Sequence, residues 1–162
     1  MNSINRRELL GAAGVGAVAL MFSAPGVSAP GGGRFAVTRT PTEWRKRLGP
    51  QRFAILREGG TERPYTSPLD KEKRRGTFAC AGCALPLFSS AAKFDSRTGW
   101  PSFFRASPNA VVTKSDRSMG SVRTEVLCRR CGGHLGHVFD DGPKPTGLRY
   151  CMNGLALRFA PA

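Results

Sequence analysis

Apolar and polar positions divide the chain into three regimes of spacing. An uncharged apolar run rich in Gly and Ala extends from Leu9 to Phe22. From Thr40 to Arg57 apolar residues recur at helical spacing. Trp44 and Leu48 lie four apart on one face, and Thr40 or Thr42 is placed to cap a first helix with Pro41 in its first turn. Pro50 opens a second short helix that carries Phe53 and Leu56, and Gly59-Gly60 stops it. After Gly76 the helical period gives way to short alternating runs broken by Gly, Pro, Ser and Asn, the pattern of strands and turns. From Ser121 to Leu127, Val122, Thr124 and Val126 share one face and Arg123 and Glu125 the other. Near the end, Arg149, Cys151 and Asn153 point one way and Leu148, Tyr150 and Met152 the other. Leu155, Leu157 and Phe159 then line an apolar face.

The first regime is an address. At about 1.5 Å rise per residue, Leu9–Phe22 is too short for a hydrocarbon core of ~30 Å and fits the middle of a signal peptide. Ahead of it, Asn5-Arg6-Arg7-Glu8-Leu9-Leu10 resembles the twin-arginine export signal. Residues 1–33 are therefore read as a twin-arginine-type signal peptide and flexible leader, ending at Gly31-Gly32-Gly33, and the protein is expected to be exported to a periplasm. Val27-Ser28-Ala29 has the small residues of a cleavage site, but Pro30 follows it and disfavours a cut there. A cytosolic chain with an Ala/Gly-rich start is the simpler alternative, and it leaves the arginine pair without a purpose.

A length of 162 residues suits one domain with a tail. The 20 Gly and 12 Pro make the chain turn-rich and speak against a helical bundle. A net charge of +14 raises nucleic acid and anionic membranes as partners. Much of that charge lies in residues 39–75, where a solvated basic face accounts for it. The 5 cysteines cannot all be paired in disulfides.

Four of them form two knuckles, Cys80-Ala81-Gly82-Cys83 and Cys128-Arg129-Arg130-Cys131. Two residues between cysteines let both thiolates of a turn reach one metal, and two such turns complete a closed, structural four-sulfur zinc site. Two short disulfides or a redox pair are the competing readings, and export to an oxidising compartment gives them weight. Twin-arginine export carries folded proteins, so metal can be loaded before transit, which favours zinc. Cys151 stands outside both knuckles. A lone cysteine is commonly a small buried apolar residue, but Arg149 and Asn153 share its strand face, and a nearby cation favours the thiolate. His134 and His137 offer proton donors. In a straight strand they face opposite sides, so only one reaches Cys151 unless Gly136 bends the chain. Trp100, beside the turn at Gly99, taken alone is more often core than pocket wall, and only the residues around it change that reading.

Taken in order, Cys80-Ala81-Gly82-Cys83, Lys93-Phe94-Asp95-Ser96, Gly99-Trp100-Pro101-Ser102-Phe103, His134-Leu135-Gly136-His137-Val138-Phe139-Asp140-Asp141-Gly142-Pro143 and Arg149-Tyr150-Cys151-Met152-Asn153 resemble methionine sulfoxide reductase B, as does Thr61-Glu62-Arg63-Pro64. The resemblance implies a mainly β single domain over residues 40–160, with two antiparallel sheets and short helices at the amino end. It implies reduction of methionine R-sulfoxide in oxidised proteins, which is a repair reaction. By position, Cys151 matches the nucleophile, His137 the proton donor with His134 as supporting neighbour, and Asn153 a residue that orients the site. Trp100 matches the wall that receives the substrate's methyl group, with Phe139 and Arg149 assigned to the same binding surface. Cys80, Cys83, Cys128 and Cys131 match the ligands of one structural zinc per chain. The chemistry agrees: a thiolate attacks the sulfoxide sulfur, an acid protonates the oxygen, and methionine and a cysteine sulfenic acid result.

The sequence also departs from the family pattern. Arg97 and Thr98 stand where members commonly carry Gly followed by Thr or Cys, and the Thr98 position often holds a resolving cysteine. Gly154-Leu155-Ala156 replaces the common Ser-Ala-Ser. A thioredoxin-like or other external thiol is therefore the expected reductant. Nucleic acid is not an expected partner, because a nucleic-acid-binding zinc module leaves Cys151, the paired histidines and the leader unexplained. The mature form is expected to be a monomer without a membrane span.

Overall fold

In the computed structural model, which describes residues 35–162, the chain opens with a helix that its sequence starts, breaks and stops at defined points. The signal peptide and leader assigned to residues 1–33 lie outside the described residues. Helix α1 (Pro41–Glu58) begins at a capping box: Glu43 N–H donates to Thr40 Oγ1, and the Glu43 carboxylate accepts from Thr40 N–H at 2.8 Å. Gly49, at φ 69° and ψ 172°, breaks the helix just before Pro50, which has no N–H to give. The result is two short helical pieces end to end, as the proline position predicts. Gly59 closes the second in the left-handed region. Trp44, Leu48, Phe53, Ile55 and Leu56 are buried and form the helix's contribution to the core.

The strands are β1 (Gly76–Cys80), β2 (Pro86–Ser89), β3 (Lys93–Phe94), β4 (Ser102–Phe103), β5 (Val111–Asp116), β6 (Arg123–Cys128), β7 (His134–Phe139), β8 (Arg149–Met152) and β9 (Leu157–Pro161). They form two antiparallel sheets, ordered β2-β1-β9 and β3-β4-β8-β7-β6-β5. The expected mainly β architecture with helical structure at the amino end is the one observed. Aromatic rings join the sheets: Phe103 of the larger sheet stacks on Phe88 with centroids 4.3 Å apart and meets Phe78 edge-on at 4.9 Å. No helix among the described residues is long and apolar enough to cross a membrane.

Three expectations need correction. The strand expected from Ser121 begins at Arg123, and Val122 and Thr124 are exposed; only Val126 of that face is buried, because the outer end of the β5–β6 hairpin projects past the core. Leu155 belongs to the short turn Gly154–Ala156, not to the final strand. The basic segment is not wholly solvated: Arg47 Nε donates to Gly82 O at 3.0 Å and Arg57 donates to Cys131 O at 2.9 Å, so two of its cations brace the knuckles.

Candidate active site

The two knuckles fold identically. Ala84 N–H donates to Cys80 O and Gly132 N–H to Cys128 O, both at 2.8 Å, and Ala84 (φ 61°) and Gly132 (φ 68°) both take the left-handed conformation that ends the turn. One knuckle follows β1 and the other β6, so the two sheets meet here. No disulfide joins any of the five cysteines. Sulfurs at about 2.3 Å from a common centre in tetrahedral array lie about 3.8 Å apart. Cys80 Sγ and Cys131 Sγ are 3.7 Å apart, Cys83 Sγ and Cys128 Sγ 3.5 Å, and all four fall within 4.8 Å of one another. The cluster is dimensioned for one metal ion.

Cys151 lies on β8 between two neighbours set by strand register, His137 of β7 and Ser102 of β4. Directly opposed residues of antiparallel strands project to one side, so His137 and Cys151 face the same space. That space is a cavity of about 340 Å³ walled by Cys151, His137, Trp100, Phe139, Arg149 and Asn153. A larger concavity, of about 820 Å³, lies beside Lys93 and Arg97 but contains neither cysteine nor histidine. Thr98 Oγ1 is 3.9 Å from Cys151 Sγ. Burial pushes the Cys151 thiol up from its ordinary range, and the hydrogen bond from Thr98 and the charge of Arg149 offset this only in part. Arg149 does act in the expected direction, towards the thiolate, but desolvation is the larger effect. Arg149 is itself clamped, with Nε and one terminal nitrogen donating to the two Asp141 oxygens at 2.8 Å each while its guanidinium lies 4.4 Å over the Phe139 ring.

The histidines are held by carboxylates from neighbouring strands. His137 Nε2 is 2.8 Å from Asp116 Oδ2, which also accepts from Arg123 at 2.7 Å. Hydrogen bonds from Ser118 and then from His137 hold the Asp116 carboxyl well below its usual range. His134 Nδ1 is 2.6 Å from Glu125 Oε1, and Lys114 meets Glu125 Oε2 at 3.0 Å. Burial pushes the His134 imidazole down, outweighing the carboxylate beside it. The predicted divergence of the two histidines does not occur. Between β6 and β7 the register slips, with Val126 opposite Gly136 and Leu127 opposite His134. The extra residue in β7 turns both rings to one side, and their centroids are 5.5 Å apart. Gly136 makes the close approach possible: at φ 152°, a Cβ there would lie 2.1 Å from Cys151 O. Even so, only His137 walls the cavity. His134 lines the adjoining groove, which His137 also borders.

Asn153 does not contact the thiol. Its Oδ1 accepts Glu62 N–H at 3.0 Å and its Nδ2 donates to Leu135 O at 3.2 Å, so it pins the end of β8 beneath the cavity. Trp100 Nε1 donates to Glu62 O at 3.1 Å, which fixes the indole as a wall. The buried Glu62 carboxylate accepts Gly154 N–H and, at 2.9 Å, Leu155 N–H. Glu62 thus ties the Trp100 wall, Asn153 and the turn after β8 together. Glu62 and Asp141 lie inside motifs that assign them no role, and Asp116, Arg123 and Glu125 lie in none. Only the period of β6 marked Arg123 and Glu125 as sharing a face.

Comparison with known proteins agrees with this arrangement. Residues 48–161 match the SelR domain. The chain is 54% identical over 124 residues to the peptide methionine sulfoxide reductase MsrB of Thiobacillus denitrificans, covering 76% of this chain and 94% of that one. It is 50% identical over 126 residues to the enzyme so named in Leptospira interrogans (77% and 96% covered) and 50% identical over 125 residues to that of Methanosarcina barkeri (76% and 88%). With two knuckles of the same fold, a lone cysteine opposed to a histidine, and about half of the aligned residues shared with relatives along most of their length, the chain belongs to the methionine sulfoxide reductase B family.

Proposed function

We propose that this protein reduces methionine R-sulfoxide in oxidised proteins, with Cys151 as the group that takes the oxygen. The observation that carries the reading is the single cavity in which a thiol, an imidazole and two aromatic faces converge. The thioether methyl of a bound sulfoxide packs on Trp100, and Phe139 and Arg149 close the opposite side. Asymmetry between an apolar wall and a polar one tells methyl from oxygen, and so selects an epimer.

Proton bookkeeping follows from the resting state. Burial favours the protonated Cys151 thiol. His137 lines the cavity with Nε2 engaged by Asp116, which leaves Nδ1 as the nitrogen without that carboxylate partner. The thiol proton moves to this imidazole as sulfur attacks the sulfoxide sulfur, and the imidazolium passes it to the sulfoxide oxygen. Oxygen ends on Cys151 as a sulfenic acid: the cysteine sulfur loses two electrons, and the substrate sulfur gains two and becomes a thioether. Thr98 and Ser102 place hydroxyls, not a thiol, beside Cys151, and the four remaining cysteines cluster together elsewhere. Two equivalents of an external thiol, or one dithiol, therefore return the sulfenic acid to thiol, releasing water and a disulfide. In a periplasm a thioredoxin-like protein fills this role.

Cys80, Cys83, Cys128 and Cys131 fit zinc, both in donor type and in sulfur spacing. Four thiolates leave no open position, so the ion would supply a structural cross-link and take no part in the reaction. Residues 1–33 act as the twin-arginine leader of a domain spanning 40–160, which is exported and works as a monomer. The deciding assay offers the protein a peptide with separated R and S sulfoxide epimers and excess dithiothreitol. Consumption of R alone is expected, and equal consumption of both, or of neither, would overturn the reading. Trapping with a sulfenic-acid reagent after one turnover should label Cys151; a disulfide from Cys151 to a knuckle cysteine would count against external recycling.

A further inference from the structure

The described residues contain two methionines in opposite situations. Met152 follows Cys151 on β8 and is 0% exposed, whereas Met119 is 71% exposed at the turn between β5 and β6. All of residues 117–122 are exposed, and Val122 beside the turn is also 71% exposed. The tip is therefore a short exposed polypeptide loop carrying a thioether. Its base is part of the site just described, because Asp116, which holds His137, and Arg123, which holds Asp116, flank the loop. Met119 overhangs the groove of about 640 Å³ that His134 and His137 border, and it is not among the walls of the cavity that holds Cys151.

We propose that Met119 is a site of reversible oxidation whose R-sulfoxide is a substrate for a second copy of this same chain. The proposal rests on the reductase reading above. A peroxide oxidises the exposed thioether: the O–O bond breaks, one oxygen joins the Met119 sulfur, which loses two electrons, and the other leaves as water. Met152 escapes because no oxidant reaches it without unfolding. The resulting sulfoxide sits on an exposed loop, the form in which a protein presents this group to a cavity walled by Trp100 and Phe139. It lies outside its own cavity, so repair occurs between molecules. Cys151 of the second copy takes the oxygen as a sulfenic acid, Met119 returns to the thioether, and a dithiol restores Cys151 with release of water. Oxidation gives both epimers and this enzyme accepts one, so the S form accumulates at Met119 as a record of exposure.

The test uses the full chain carrying Cys151→Ser, which cannot repair itself. It is treated with hydrogen peroxide, freed of oxidant, and mixed with a small proportion of untreated wild-type protein and dithiothreitol. Peptide mass spectrometry then follows the two methionines. Met119 should gain one oxygen while Met152 stays unmodified, which also reports an intact fold. On adding wild-type enzyme, about half of the Met119 sulfoxide should revert, at a rate proportional to enzyme concentration, leaving the S epimer. With dithiothreitol alone none should revert. If Met119 resists peroxide while Met152 is intact, the site does not exist. If Met119 sulfoxide persists although the same enzyme reduces a free R-sulfoxide peptide, the proposal fails alone; if the free peptide also persists, the reductase reading fails with it.

Discussion

Strand register sets His137 on one side of Cys151 and Ser102 on the other, Thr98 Oγ1 lies 3.9 Å from its sulfur, and Arg149 lends it positive charge. Burial keeps the Cys151 proton on. Iodoacetamide modification of Cys151, read by peptide mass spectrometry, should therefore still accelerate above pH ~8.5, where an ordinary thiol begins to level off; a plateau below that pH would contradict the burial argument. The native state binds this proton more tightly than the unfolded chain does. Cys151 thus contributes stability that is complete below the ordinary thiol range and is lost as pH rises through its folded pKa. His137→Ala should slow reduction by about 10²–10⁴-fold, the range of a lost general acid, while leaving Cys151 open to alkylation. Asp116→Asn should cost more than about tenfold in kcat, because an amide can offer the imidazole an N–H and invert its tautomer. It should also shift the pH profile, which a merely structural change would not. An Asp116→Asn enzyme with full kcat would remove Asp116 from the proton path. The lone cysteine drew attention in the sequence because the other four are paired by spacing. Asp116 did not, since an aspartate at the mouth of a turn reads as turn chemistry, and only the β5–β6–β7 register brings it to His137.

At the level of elements, α1 was readable because its signals are local: a threonine cap at Thr40 or Thr42, a break at Pro50 and a glycine stop at Gly59-Gly60, of which Thr40 and Gly59 are the residues used. The orientation of the histidines was not. Simple alternation put them on opposite sides, whereas the register slip between β6 and β7 depends on the partner strand and cannot be seen within β7. Gly136 permits the contact between β7 and β8 that sets His137 opposite Cys151. Gly136→Ala would force its Cβ to within 2.1 Å of Cys151 O, a clash with backbone that no rotamer relieves. The expected outcome is a loss of more than about 3 kcal/mol of stability, with activity lost even in whatever folded fraction remains. Denaturant unfolding and an assay on the soluble fraction would measure both, and an alanine variant of unchanged midpoint would show that β8 can shift without harm.

For the whole molecule, two proposals are open to direct test, zinc at the four-cysteine cluster and residues 1–33 as a leader. Purified protein should carry close to one zinc per chain, and Cys128→Ser should release it and lower Tm, since metal binding and folding are linked. Metal-free protein with two disulfides and full activity would defeat the assignment. A reporter that must fold before transport, fused to residues 1–33, should reach the periplasm, and Arg6→Lys with Arg7→Lys should retain it in the cytoplasm. Unchanged export of the double variant would point to the general secretory route. The exposed tip at residues 117–122 also divides the site between two halves of the chain. Thr98, Trp100, Asp116 and one knuckle precede it; His137, Arg149, Cys151 and the other knuckle follow it. Neither half holds a complete cavity or more than two of the four sulfurs, while the β1–β9, β4–β8 and β5–β6 pairings all join one half to the other. A protein severed at this tip should therefore remain one particle, and two separately made fragments, each inert, have the strand edges and half-sites needed to reassemble as a split enzyme, whose complementation a chelator should reverse where the proposed zinc joins the halves.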